Sequence, residues 1–327
     1  MVNNNTLRKY ASSNILPMII LVAIMYFIAG KLGIYTAIPG TYITPFWAPA
    51  GIALAAVLLL GYQVLPGIFL GVLFLDVIVL SGLAPQASLI EIGIVSFIIG
   101  LGAVLEAAFG AYLINYFIHQ KNIFTNGLST LTFLLCGAAS CLINSSVGAI
   151  SMVLSGLTKA SFSLMWSTWT IGDITGIFVM TPLILIWIRP PQWRILRTYI
   201  LEILVSIAAI IGITLLNKFY NPHYLYLFIF LVLWAAVRYG FYGATLANFV
   251  VSAVVVFDMI NSHMSLSGES LNEVFLELSL FIMFMSGAVL ILVAELNKSP
   301  PKNCQWEAAV NFMSISYKNK IRRWMKK

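Results

Sequence analysis

Apolar residues run along this chain in long unbroken stretches and do not alternate with polar ones. Ten runs can be marked: Ile15–Leu32, Thr44–Leu60, Leu65–Leu80, Ser88–Phe117, Leu128–Leu154, Ser161–Trp187, Thr198–Leu216, Pro222–Val237, Tyr242–Ile260 and Leu271–Leu296. A hydrocarbon core about 30 Å thick takes roughly 20 such residues per helix. In lipid only helices and closed barrels satisfy every backbone N–H and C=O. Continuous runs rich in Leu, Ile and Val read as helices rather than barrel strands. The predicted fold is therefore all-α, a polytopic transmembrane helix bundle of about ten helices. The second and third runs are short and broken by Gly61, Pro66 and Gly67; the eighth and ninth are short and share a turn bounded by glycine. Either pair read as a re-entrant hairpin lowers the count to eight full crossings.

Basic residues set the orientation. With the N-terminus inside, the cytoplasmic segments hold 15 of the 18 lysines and arginines, and only Lys31, Lys159 and Lys218 fall outside. Both termini are predicted to be cytoplasmic, and the first run is read as a retained span, not a cleaved leader. The chain divides into a cytoplasmic segment 1–14, a membrane domain 15–296 and a tail 297–327.

Composition agrees. Apolar residues make up 61% of the 327 and charged residues only 9%, with mean hydropathy +0.96. Soluble domains carry about 25% charged residues, so a soluble fold, a disordered chain and a disulfide scaffold are excluded. The net charge of +7 would suggest nucleic acid in a soluble protein. Here it belongs entirely to the tail, where eight basic residues follow position 297 against one acid, Glu307. Trp306, Val310, Met313, Tyr317, Ile321 and Trp324 give that tail an apolar helical stripe. Such a helix can lie on anionic inner-leaflet lipids, dock on a partner helix, or be the remnant of a lost output domain. No nucleic-acid partner is expected.

Charges inside lipid cost several kcal/mol, so each needs a reason. Asp76, Glu91, Glu106 and Asp173 fall within the runs, and no Lys or Arg lies at comparable depth. Glu91 is near an interface and reads as solvated. Glu106 and Asp173, with Asp76, could converge on one polar cavity between the third and sixth runs. That cavity would be a ligand or proton site; alternatively each acid is held by interhelical hydrogen bonds. Asp76 fits the second role better. Around Asp173, Trp166, Trp169 and Thr170 offer indole and hydroxyl groups, while Gly172 and Gly176, four apart, permit close helix approach. Before the second helix, Pro45 and Pro49 force irregular backbone around Trp47, which is either a ligand wall or an interfacial anchor. Arg238 reads as a positive-inside anchor bonded to helix carbonyls, with contact to Glu106 as the alternative. The polar stretch Asn261–Glu273 reads as a solvated connection or a lid. Cys136 and Cys141, five apart, read as small apolar residues. His119, His223 and His263 lack partners at ligand spacing, so neither a metal nor a cofactor is expected. No catalytic constellation occurs, and the chain is read as a non-enzyme.

Taken in order, several segments resemble the first membrane-associated sensor (MASE) family, the integral-membrane input module of bacterial signalling proteins. They are Trp47-Ala48-Pro49-Ala50-Gly51, Leu60-Gly61-Tyr62, Pro66-Gly67-Ile68-Phe69-Leu70-Gly71, Leu105-Glu106-Ala107, Trp169 with Gly172-Asp173, Gly176 and Pro182, and Trp234-Ala235-Ala236 with Arg238 and Gly240. The match runs from about the first helix to Glu295. The chain departs from the pattern at Asp76 and near Ala103, where the family tends to have amides, and at Thr170, where an aromatic is common. Family members usually continue into a diguanylate cyclase, a cyclic-di-GMP phosphodiesterase or a histidine kinase. Here Ser299-Pro300-Pro301 and the basic tail follow instead.

The resemblance implies a sensor of the bacterial inner membrane, without its own output domain. It would bind a small ligand or a membrane partner among Glu106, Asp173, Trp169, Trp166, Trp47, Asp76 and Arg238. Signalling would pass through the last helix to a cytoplasmic or membrane partner, with the chain acting alone or as a homodimer. The alternative is a secondary transporter using the same buried carboxylates.

Overall fold

The computed structural model describes residues 15–37, 44–118, 123–188, 200–220, 226–263 and 268–298. Among them are nine α-helices, one 3-10 turn and no strand. The helices are α1 (Ile15–Ile34), α2 (Ala48–Leu60), α3 (Leu65–Leu83), α4 (Leu89–Phe117), α5 (Gly127–Leu154), α6 (Phe162–Trp187), α7 (Ile200–Tyr220), α8 (Leu227–His263) and α9 (Gly268–Leu296). The expected segments at 1–14 and over the amphipathic tail from Gln305 lie outside the described residues. Among the described residues seven helices are long and apolar enough to cross a membrane: α1, α3 with its leading 3-10 turn, α4, α5, α6, α8 and α9.

The eighth and ninth runs both fall on α8, which is broken at Gly240 in the glycine-bounded turn marked between them. That glycine has φ 61° and ψ −144°, which no helix contains. A Cβ added at Gly243 would lie 2.4 Å from the carbonyl oxygen of Ala235. Residues eight apart in a straight helix are separated by about 12 Å of rise, so α8 folds back on itself at Gly240. Its first arm, residues 227–239, is too short to span a bilayer core, whereas the second, residues 241–263, is long enough. Another difference falls at Asn261–Glu273, where α8 runs on to His263 and α9 begins at Gly268. Helix, rather than an open loop, occupies most of that stretch.

Helix starts follow local chemistry. Ser88 accepts from the Glu91 amide at 3.2 Å while Glu91 Oε2 accepts from the Ser88 amide at 2.9 Å, a reciprocal cap on α4. Glu91 is thus part of a helix start, not merely a solvated side chain. Asn126 and Ser161 cap α5 and α6 in the same sense.

Packing sorts the helices by environment. On α1, Val22, Tyr26 and Gly30 face inward, while Leu16, Ile20, Ile24, Ile28 and Leu32 form an exposed apolar stripe at four-residue spacing. Similar exposed stripes continue through Leu70, Phe74 and Ile78 of α3 and Ile94, Ile98, Leu101 and Leu105 of α4. Such area suits lipid and not water. At the other extreme, α2 is buried from Pro49 to Leu59. It is enclosed by α1, α4 and α6, which in turn pack with α3 and α5. A helix that is apolar all round belongs in such a core.

Candidate functional site

Four residues expected to begin the second helix, Thr44–Trp47, instead form a non-helical strap lying on α6. Pro45 and Pro49 explain the shift, since proline cannot continue helical hydrogen bonding and biases its predecessor toward extended backbone. The strap's polar groups are paired by α6. The Trp47 amide donates to the Gly172 carbonyl at 3.0 Å. Thr175 Oγ1 donates to the Pro45 carbonyl at 2.9 Å, and Thr181 Oγ1 donates to the Gly51 carbonyl at 2.9 Å. Close approach requires the glycines: a Cβ at Gly176 would stand 1.9 Å from the Trp47 oxygen, and one at Gly172 would stand 2.8 Å from the Thr44 oxygen. The small-residue seam marked in the sequence therefore receives a backbone strap and the first turn of α2.

This strap places Trp47 inside the protein, 8% exposed, with its ring against Gly33 of α1. It is no interfacial anchor. Its indole is beside the phenol of Tyr26, and that phenol is within electrostatic range of Asp173, Asp76 and Glu106. Carboxyls from α3, α4 and α6 thus gather around one aromatic pair supplied by α1 and the strap. Glu106 touches Asp173, with Asn144 and Cys141 of α5 also against it. Asn144 Nδ2 donates to Asp173 Oδ2 at 3.2 Å. Asp173 is fully buried, and Asp76, Asn144 and Glu106 nearly so.

Further along the α5–α6 seam, Thr170 Oγ1 donates to Ser145 Oγ at 2.8 Å and Trp166 Nε1 donates to Ser146 Oγ at 3.0 Å. Positions 166, 170 and 173, about a turn apart on α6, thereby meet three consecutive residues of α5. Trp169 rests on Gly148, where a Cβ would come within 2.6 Å of the ring. Both tryptophans are half-buried against α5. Interhelical polar contacts of this kind contribute about 0.6 kcal/mol each, and up to about 2.

Arg238 has a partner that sequence reasoning passed over. Its Nε and Nη2 donate to the two carboxyl oxygens of Glu202 on α7, at 3.0 and 2.8 Å, and the Tyr239 hydroxyl donates to the same carboxyl. Arg238 hydrogen-bonds to the side chain and Tyr239 reinforces it, holding the Glu202 carboxyl down to about 2. This pair joins α7 to the fold of α8. Elsewhere, Glu295 near the end of α9 accepts from the backbone amide of Gly127 at 3.0 Å. A carboxylate there meets the positive end of the α5 dipole.

Asn144 and Tyr26 also escaped the sequence reading, and Cys141 was read there only as a small apolar residue. Asn144 had a usable signal, as an amide deep in an apolar run is costly unless hydrogen-bonded. Among the described residues no group of three or more His, Cys, Asp and Glu is arranged to hold a metal ion. A hollow of about 280 Å³ lies at the other end of α2, lined by Gly61, Tyr62, Gln63 and Asn115. It stands about 13 Å further along α4 than Glu106 by helical rise, apart from the carboxyls.

One family model, MASE1, matches the chain over residues 18–299, a range that holds the Trp47 strap, the buried carboxyls and Arg238. The chain belongs to the MASE1 family. MASE1 is the membrane-associated sensor family of bacterial signalling proteins, and it is a sensor module, not a catalytic domain. No curated protein and no solved structure matches the chain. This MASE1 chain is a multi-pass membrane protein of helical architecture.

Proposed function

We propose that this MASE1 module senses a ligand at the Glu106–Asp173 pair and reports it through α9. The observation that carries the reading is the meeting of carboxyls from α4 and α6 around Asn144 of α5. Burying such groups costs stability that an apolar core would not lose, so their presence fits use. The same helix that holds Asn144 bonds at its first residue to Glu295 of α9. A ligand that moves Asn144 would therefore act on α9 through the rigid length of α5. Trp47 and Tyr26 would wall the site, and Asp76 would add charge beside it. Trp166 and Trp169 would hold α5 to α6, and Arg238 would fix α7 against α8. The proposed location is the bacterial inner membrane with both termini in the cytoplasm. The tail, residues 297–327, would rest on anionic lipid and meet the signalling partner, and a homodimer would supply a second copy of α9. No catalytic step is assigned to the chain.

The test is the transcript profile of host cells carrying the wild-type chain, E106Q or D173N, compared with cells lacking it. Normal membrane levels with a lost or locked response are expected. Full wild-type response from both variants would sink the assignment of the site.

A second reading, secondary transport, draws on the same carboxyls and on a likeness between two short helical arms. Each arm carries Trp-Ala near it and ends at a glycine of positive φ followed by an aromatic, Gly61-Tyr62 and Gly240-Phe241. Saturable, proton-dependent uptake into vesicles would support transport, and binding without flux would count against it.

A further inference from the structure

Among the described residues three carboxylic acids are buried, Asp76, Glu106 and Asp173, and no basic side chain is buried with them. Two bare carboxylates in contact out of water repel strongly, so positive charge has to stand between Glu106 and Asp173. A second observation shows where. Glu106 Oε1, Asp173 Oδ1 and Asn144 Oδ1 are all buried acceptors without a hydrogen-bond donor from the protein. Asp173 uses its other oxygen for the Asn144 amide nitrogen. Asn144 Oδ1 packs against Gly102, one turn before Glu106 on α4, where a Cβ would lie 2.8 Å from that oxygen. Orphaned buried acceptors normally find a donor, a water or an ion.

We propose that Glu106, Asp173 and Asn144 form a binding site for one small monovalent cation, a proton or a sodium ion, and that this cation is the ligand the module detects. The second clause rests on the function proposed above. Size argues for a small ion. Gly102 and Gly110 flank Glu106 by one turn on either side, and a Cβ at either would stand 2.8 Å from Asn144 or Ser140 of α5. Helices this close leave no room for an organic cation. The donor set argues the same way, because three oxygens that include one neutral amide suit a proton or a weakly held alkali ion better than a divalent one. The other titratable groups around the pair are Tyr26 from α1, whose phenol also has Asp76 of α3 in electrostatic range, and Cys141 from α5. None of them brings a positive charge. Cation and proton would compete: sodium entry displaces the shared proton to solvent, and proton return releases sodium.

The test uses the full chain in lipid nanodiscs and reads the carbonyl stretch of buried protonated carboxyls by infrared difference spectroscopy. Spectra are taken between about pH 5 and 9, with sodium chloride replaced by choline chloride at constant ionic strength. A buried-carboxyl band that is lost as pH rises, with or without sodium speeding its loss, is expected. Dependence on sodium identifies the alkali ion, and dependence on pH alone identifies the proton. The titrating band should disappear in E106Q/D173N. Should that variant fail to fold, N144D serves instead, and a new or shifted band is expected from the added carboxyl beside the pair. A band that neither titrates nor responds to sodium would overturn the proposal, as would an identical titration in E106Q/D173N. If the titration fails while E106Q and D173N still abolish the cellular response, the site survives as a sensor of some other ligand. If the titration holds while the response is untouched, the cation is bound but is not the signal.

Discussion

Gly176→Ala is expected to be among the most damaging single-methyl additions in the protein. The added Cβ would sit 1.9 Å from the Trp47 oxygen, well over 1 Å inside ordinary contact, and its neighbour is backbone that cannot rotate away. Overpacking of this kind costs about 1–3 kcal/mol. Separating the strap from α6 also weakens the Trp47–Gly172 and Thr175–Pro45 hydrogen bonds, at about 0.5–1.5 kcal/mol each. The expected loss is about 2–6 kcal/mol, or of the order of 10 °C in melting temperature for a chain of this size. Gly82→Ala is the control: it lies in α3 with open space around its Cβ position, and should be neutral or raise stability by about 0.5–1 kcal/mol. The assay is thermal unfolding of both variants in the same detergent, followed by tryptophan fluorescence. Since the strap carries Trp47, an emission shift should accompany the loss. A Gly176→Ala protein melting within about 2 °C of wild type would refute the tight-seam account.

Asn144→Ala should cost about 1–3 kcal/mol by leaving the Asp173 carboxyl without its amide donor, read by the same unfolding assay. The Glu202–Arg238 pair has a worked pH dependence. Because the folded carboxyl is held at about 2 against an ordinary 4.5, its contribution is complete above about pH 4.5 and is lost as pH falls toward 2. The protection factor for hydrogen exchange at the start of α7, with the intrinsic pH dependence of exchange divided out, should therefore be flat near neutrality and fall only on acidification, a response absent in Glu202→Gln. Glu295→Gln should speed exchange at the Gly127 amide by removing the charged acceptor at the start of α5. Gly240→Ala should destabilise by about 1–3 kcal/mol, since its φ and ψ lie where only glycine is unstrained.

Much of the bundle was legible because lipid leaves the chain few choices. Runs such as Ser88–Phe117 and Ser161–Trp187 differ from the observed helices by only their capping serines. Gly172 and Gly176 were legible as a close-approach face, although the partner is a backbone strap. Where the readings diverged, the deciding force was tertiary. Arg238 chose Glu202, a residue with no sequence-local tie to it. Glu106 and Asp173 stood out because charge in lipid is expensive. Asn144 did not, because a scan for charges passes over an amide even where its hydrogen bonds matter as much. Tyr26 looked like one more aromatic in an apolar run until α1 packed beside the strap.

The strap also constrains how the protein is made. Its carbonyl at Pro45 and that of Gly51 in the first turn of α2 are capped by Thr175 and Thr181, each 130 residues later in the chain. At about 5–20 residues per second, those hydroxyls leave the ribosome some 7–26 s after the strap itself. Throughout that interval α2, too short to span and apolar on every side, has no finished cradle. It has to wait at the insertion machinery or among α1, α3 and α4, and it becomes a core helix only when α6 arrives. Nascent chains arrested before Phe162 should accordingly leave Trp47 open to quenching from the aqueous side, whereas chains released after Trp187 should not.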